Sequence, residues 1–139
     1  MIDIVKFSSA GLNDYGPPLQ DAIDSLRDDN DYWPPKSGGR IHFPARSLGY
    51  PIKTPVTVNC GGITISGEGS HNNFACVLYW RGENRDEALF NFVAPTDRRE
   101  QSTGFSMKDI KLFGGGATQP QRGSVFRFSN NTKYTASLW

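Results

Sequence analysis

After Asn30 the chain offers only short alternating runs, each stopped within a few residues by glycine, proline or a polar cluster. Side chains of a strand point to opposite faces in turn, so alternation of this kind marks half-buried strands. Arg40 to Phe43 sets Ile41 and Phe43 on one face and His42 on the other, and Pro44 ends the run. Val56 and Val58 mark the next strand, Ile63 and Ile65 another. Ala75 to Trp80, Ala88 to Val93, Asp109 to Leu112 and Ser124 to Ser129 follow, with Phe126 and Phe128 sharing a face. A series of short strands punctuated in this way points to an all-β domain. The two-residue hairpin turns Asn-Gly and Asp-Gly, which sandwiches favour, do not occur.

The N-terminal part reads differently. Ile2 to Phe7 alternates weakly and is expected as a first strand. Leu19, Ala22, Ile23 and Leu26 then recur at i, i+3, i+4 and i+7, the apolar stripe of a helix. Pro17 and Pro18 suit its first turn, where a missing N–H costs nothing. Asp21 and Asp24 stand early and Arg27 late, in the sense the helix dipole favours. Pro34-Pro35 forbids continuation, so one helix is expected over Pro17 to Arg27.

With 139 residues, the chain fits one domain, residues 1–139. Hydrophobic residues are 37% and charged residues 21%, which sets it apart from disordered tails. A formal net charge of +1 gives no broad pull toward nucleic acid or an anionic membrane. No apolar run approaches the ~18 residues of a membrane span. The start, Met1-Ile2-Asp3-Ile4-Val5, lacks the basic region and cleavage site of a secretory leader. Cys60 and Cys76 make neither a disulfide framework nor a metal pattern; buried free thiols and a single bridge both remain open.

The strands around Ile41, Ile63 and Ile110 suggest a loose repeat of roughly 20 to 25 residues, a period that can indicate a solenoid. In a β-solenoid the strands are parallel, stack at ~4.8 Å and turn their small apolar face inward. An amphipathic helix at the open end covers the apolar cross-section, as terminal caps do in repeat proteins. The helix from Pro17 to Arg27 stands where such a cap belongs.

In this order the segments resemble the N-terminal part of the pectate-lyase-like right-handed parallel β-helix superfamily, which includes pectate lyases, polygalacturonases and phage tailspike depolymerases. Val5-Lys6-Phe7 stands for that family's first strand and Leu19-Gln20-Asp21-Ala22-Ile23 for its helix. Gly38-Gly39-Arg40-Ile41-His42-Phe43-Pro44 and Ile63-Thr64-Ile65-Ser66-Gly67-Glu68-Gly69 carry the likeness most closely. Tyr50-Pro51-Ile52 with Val56-Thr57-Val58 continues it, and Phe105 to Leu112 looks like a later rung. The usual Gly-Asp-Gly loop is replaced by Gly11 to Pro18, and residues 71–100 match no motif. The resemblance implies a right-handed parallel β-helix with one N-terminal capping α-helix: a cap over residues 1–35 and first rungs over 36–139 of a longer protein. It also implies a polysaccharide lyase or glycoside hydrolase, a phage tailspike among the options, with the catalytic residues on rungs this chain lacks. Ca²⁺ is a cofactor the resemblance admits. A polysaccharide ligand, homo-oligomers such as trimers, and an extracellular or virion location follow in the same way. The alternative is a non-catalytic glycan-binding or structural module, such as an adhesin or phage fibre.

Glycoside hydrolysis needs two carboxyl groups about 5 to 10 Å apart across one bond. No spacing marks such a pair here, so catalytic residues stay unassigned. Glu68, between Gly67 and Gly69, reads as a corner residue that faces solvent or caps the turn. Glu83 and Asp86, in a charged excursion between two apolar strands, and Asp109, outward beside Ile110, are candidates for lining a sugar groove. Tyr32, Trp33, Tyr79 and Trp80 offer flat ring faces for sugars; Trp80, next to the charged excursion, is the favoured one. His42 and His71 have no companions at zinc spacing. Gly114-Gly115-Gly116 lacks the lysine and helix of a phosphate loop and reads as a turn.

Overall fold

Asp3 decides how the chain begins. Its Oδ1 accepts the N–H groups of Val5 and Lys6 at 3.0 and 3.3 Å, a side-chain cap that turns the chain after two strand residues. The expected strand Ile2 to Phe7 is therefore split into β1 (Ile2–Asp3) and a single helical turn, α1 (Ile4–Phe7). In this computed structural model the described residues are 1–8, 11–27, 38–69, 76–84, 86–93, 104–114 and 124–129. The longer helix, α2 (Gly16–Ser25), buries Leu19, Ala22 and Ile23. Nine further strands follow: β2 (Gly39–Phe43), β3 (Tyr50–Ile52), β4 (Val56–Val58), β5 (Ile63–Gly67), β6 (Val77–Trp80), β7 (Phe90–Val93), β8 (Ser106–Lys108), β9 (Lys111–Phe113) and β10 (Phe126–Ser129).

The strands form three separate sheets, in the orders β1-β2-β5-β8, β3-β6-β9 and β4-β7-β10, and every pairing is parallel. Register aligns apolar residues in inward rows. Ile2, Ile41, Ile65 and Met107 line up in the first sheet, and Tyr50, Leu78 and Leu112 in the second. Val58, Phe92 and Phe128 line up in the third, with the Phe92 and Phe128 rings stacked at 4.7 Å. Each fully buried Val, Leu, Ile or Phe contributes about 1.5–3 kcal/mol of transfer free energy, and Ile41, Ile65, Tyr50, Leu78, Val58 and Phe92 of these rows are buried in the core.

The expectation of an all-β, right-handed parallel β-helix with one capping helix is corrected to a mixed α/β fold, with ten short strands in three separate parallel sheets and two helices among the described residues. The solenoid repeat read from three isoleucines fails in its particulars. Ile63 pairs with Gly39, and it is Ile65 that aligns with Ile41. Ile110 lies outside any strand, in the connection between β8 and β9, and Met107 takes the aligned position. The first-sheet strands begin at residues 39, 63 and 106, so no single period relates them. The run Asp109 to Leu112, expected as one strand, is broken by Asp109 at φ 55°, a left-handed corner that Asp tolerates better than most side chains.

One edge of each sheet is closed by the N-terminal segment. β1 pairs with β2, and the Tyr15 N–H donates to the Pro51 carbonyl of β3 at 2.8 Å. At β4 the side chain of Gln20 takes the place of a neighbouring strand. Its Oε1 accepts the Thr57 N–H at 2.7 Å and its Nε2 donates to the Thr57 carbonyl at 3.1 Å. Asp14 accepts the N–H groups of Gly16, Lys53 and Thr54 and the Thr54 hydroxyl. Partial burial raises the Asp14 pKa, and the hydrogen bonds outweigh it, so the carboxyl rests below its ordinary value. Gln20→Ala leaves both Thr57 groups without this partner and is expected to lower stability by about 1–2 kcal/mol. Gln20→Glu keeps the acceptor and loses the donor, so it should fall between the two in chemical denaturation.

Candidate functional site

Strand alternation gives each sheet an outward face as well as an inward one, and two of these faces carry chemistry. On β3-β6-β9 the outward row is Pro51, Tyr79 and Phe113. The Tyr79 and Phe113 rings meet edge to face with centroids 5.7 Å apart, and Phe113 is 43% exposed. The Arg81 guanidinium lies 5.2 Å from the centre of the Tyr79 ring. Lys111 aligns with Val77 on the same face. Gly49, at φ 63°, lets the Tyr79 ring lie against the turn before β3; a Cβ there would run into the ring. The aromatic pair is thus held from below while Phe113 remains open to solvent.

On β1-β2-β5-β8 the outward rows are polar. Asp3, His42, Ser66 and Lys108 align across the four strands, and Arg40, Thr64 and Ser106 across three. Thr64 Oγ1 and Ser106 Oγ share a hydrogen bond of 2.9 Å. His42 Nδ1 stands 3.1 Å from Ser66 Oγ, and His42 Nε2 stands 3.5 Å from Glu68 Oε1. Glu68 Oε2 accepts the Ala45 N–H at 2.9 Å. The Ala45 N–H and, after it, His42 hold the Glu68 carboxyl below its ordinary pKa.

Glu68 is therefore the corner residue expected of it, and the loop it ties down is the one that follows β2. Its glycine neighbours have separate reasons. A Cβ on Gly67 would collide with the Asp109 carbonyl and approach the Cys76 side chain at 2.7 Å. Gly69 has φ 143°, a conformation L side chains rarely adopt, and its N–H donates to that same Asp109 carbonyl at 3.0 Å. The strand stops sharply because the β8–β9 corner passes directly against it.

The four residues expected to line a groove fall at three places in the fold: β6, the connection from β6 to β7, and the β8–β9 corner. Trp80 points inward from β6 and is fully buried, so its indole presents no face to a ligand; Tyr79, one residue earlier, takes the outward position. Glu83 and Asp86 are exposed in the connection from β6 to β7, where Asp86 donates its N–H to Asn84 Oδ1. Asp109 is exposed at the β8–β9 corner. Tyr32, Trp33, His71, Gly115 and Gly116 lie outside the described residues. Cys60 and Cys76 are both buried as free thiols, and burial pushes Cys76 up to about 12. Among the described residues no group of three His, Cys, Asp or Glu side chains is placed to hold a metal ion, and no helix is long and apolar enough to cross a membrane.

No protein-family model matches the chain, and no curated protein does. A solved structure to which it is similar is ORF18 of Geobacillus virus E2, with a TM-score of 0.61 and 22% sequence identity. The match covers 81% of this chain and 21% of that one, so the chain spans about a fifth of the virus protein's length. At this identity the likeness concerns the fold alone. The resemblance to the pectate-lyase-like superfamily is corrected accordingly: the comparisons provide no link to pectate lyases, polygalacturonases or tailspike depolymerases, and the structural likeness is to this phage protein.

Proposed function

We propose that the chain is a glycan-binding module whose contact surface is the outward face of β3-β6-β9. The observation that carries this reading is the Tyr79–Phe113 pair, two aromatic rings packed edge to face on a sheet face with Phe113 half-exposed. Sugar rings have apolar C–H faces that bury well on such rings, while Arg81 and Lys111 offer donors to the surrounding hydroxyl oxygens. The carboxylates that polysaccharide hydrolysis or elimination would use belong to different segments. Glu83 and Asp86 lie in one connection, Asp109 in another, and Glu68 is engaged by Ala45 and His42. A binding role thus has more support than a polysaccharide lyase or glycoside hydrolase. A virion or an extracellular surface is the setting we propose for it.

Titration of a panel of soluble polysaccharides against the protein, followed by calorimetry, tests the reading. One or more should bind, and Tyr79→Ala and Phe113→Ala should each weaken that binding by about tenfold, or about 1.4 kcal/mol, with the melting temperature moved by no more than a few degrees. Binding that survives the double variant, or a panel without a single binder, overturns the proposal.

A further inference from the structure

Ser66, His42 and Glu68 lie in one line of polar contacts that the glycan-binding reading does not use, a hydrogen bond from Ser66 to His42 and a 3.5 Å contact from His42 to Glu68. From the contact of Ser66 Oγ with His42 Nδ1, of His42 Nε2 with Glu68, and of Lys108 beside Ser66, we propose that the outward face of β1-β2-β5-β8 is an acyl-ester hydrolase site with Ser66 as nucleophile. A serine hydroxyl becomes a competent nucleophile when a base lies within hydrogen-bond reach and a third group orients that base. The Ser66–His42 distance of 3.1 Å meets the first condition. Glu68 meets the second, and the Ala45 N–H fixes its other oxygen.

The tautomer follows from the partners. A carboxylate only accepts, so the single proton of neutral His42 belongs on Nε2, facing Glu68. That leaves Nδ1 as the acceptor for the Ser66 hydroxyl, which is the state a general base requires. The register sets Lys108 directly opposite Ser66 on β8, and its ammonium is a positive charge for a developing oxyanion. Ser66 itself is only 4% exposed, between its neighbours His42 and Lys108 in the row. The proposal requires the row to open over Oγ, and of the two neighbours Lys108 is the exposed, flexible one.

The chemistry closes with water as the co-reactant. Ser66 Oγ bonds to the ester carbonyl carbon as its proton passes to His42 Nδ1. The C–O bond to the alcohol then breaks, the alcohol leaves with that proton, and an acyl-Ser66 ester remains. Water adds to the acyl carbon and gives a proton to Nδ1. The Ser66–acyl bond breaks, the carboxylic acid departs, and the proton returns to Ser66. The substrate class is a small acyl ester, an acetyl group on a polymer hydroxyl being the natural size for an open sheet face.

The test uses a fluorophosphonate probe and p-nitrophenyl acetate on the whole chain. Mass spectrometry should find the probe on Ser66, and Ser66→Ala should abolish both labelling and ester turnover while its melting curve stays at that of the parent. His42→Asn should slow turnover by about 100-fold or more, and Lys108→Ala should lower kcat by about tenfold with KM unchanged. Glu68→Gln, a change at a positioning residue, should alter the pH profile of turnover as well as its rate. An unlabelled Ser66 in a mixture where a known serine esterase is labelled, or ester hydrolysis that persists in Ser66→Ala, overturns the proposal. Glycan binding at Tyr79 is measured separately and is unaffected by either result.

Discussion

Trp80→Ala is expected to lower stability by about 3–5 kcal/mol, because it removes the largest fully buried side chain of the described core. The cost has two parts, the lost transfer free energy of the indole and the cavity that packed neighbours fill only in part. Those neighbours are poorly placed to collapse. Gly82 lies so close to the indole that even a methyl group there would collide with the ring, and Ile52 aligns with Trp80 across the sheet. In a domain of this size the loss corresponds to a fall of roughly 10 °C or more in Tm. The matched change, Tyr79→Ala, lies on the outward face and should move Tm by no more than a few degrees. Differential scanning calorimetry of the pair separates the roles. Equal and small shifts would mean that Trp80 is not a core residue and would return it to consideration as a ligand contact.

That contrast shows where the site was hidden in the sequence. Tyr79 and Trp80 are adjacent, and the alternation of Val77 to Trp80 with apolar residues at every position does not say which parity faces inward. A one-residue change of phase exchanges the faces. What decides it is register: Trp80 aligns with Ile52 and Leu78 with Tyr50, both buried. The Ser66–His42–Glu68 line was out of reach for a different reason. His42 and Ser66 are 24 residues apart, and only the pairing of β2 with β5 places them opposite each other. Glu68 was legible as a corner residue because its glycine neighbours announce a turn, while its acceptance of the Ala45 N–H depends on the same strand pairing.

The fold was legible where local chemistry and tertiary packing agree. The stripe Leu19, Ala22, Ile23 located α2 to within two residues, and the valine and isoleucine alternations located β2, β4 and β5. It was not legible where a polar side chain redirects the backbone. Asp3 ends β1 by capping α1, Asp14 gathers the backbone of Lys53 and Thr54, and Gln20 completes the edge of β4. Each of these residues looks like an ordinary solvated polar position in a linear reading. The supposed repeat failed because Ile110, apolar and at a plausible interval, sits in a corner that the left-handed Asp109 creates.

Ile23→Asp is the most severe change the structure implies. Ile23 is fully buried on α2, with Leu19 and Ala22 on the same face, and α2 packs against both α1 and β4. A carboxylate there loses its hydration among the apolar side chains of the core. An unpaired buried charge costs about 3–5 kcal/mol, and loss of the isoleucine packing adds about 2–5 kcal/mol. Together these approach the whole stability of a typical domain, about 5–15 kcal/mol. The damage does not stay local. The α2 segment carries Gln20, which closes the edge of β4, and follows Tyr15, which closes β3, so losing the helix reopens two parallel edges to other chains. Expression should therefore yield aggregated material with no cooperative melting transition. Ile23→Val, which keeps the shape and removes one methylene, should remain soluble and lose only about 0.5–1.5 kcal/mol. A soluble Ile23→Asp protein with a sharp transition near the parent Tm would show that α2 is dispensable for closing this end of the sheets.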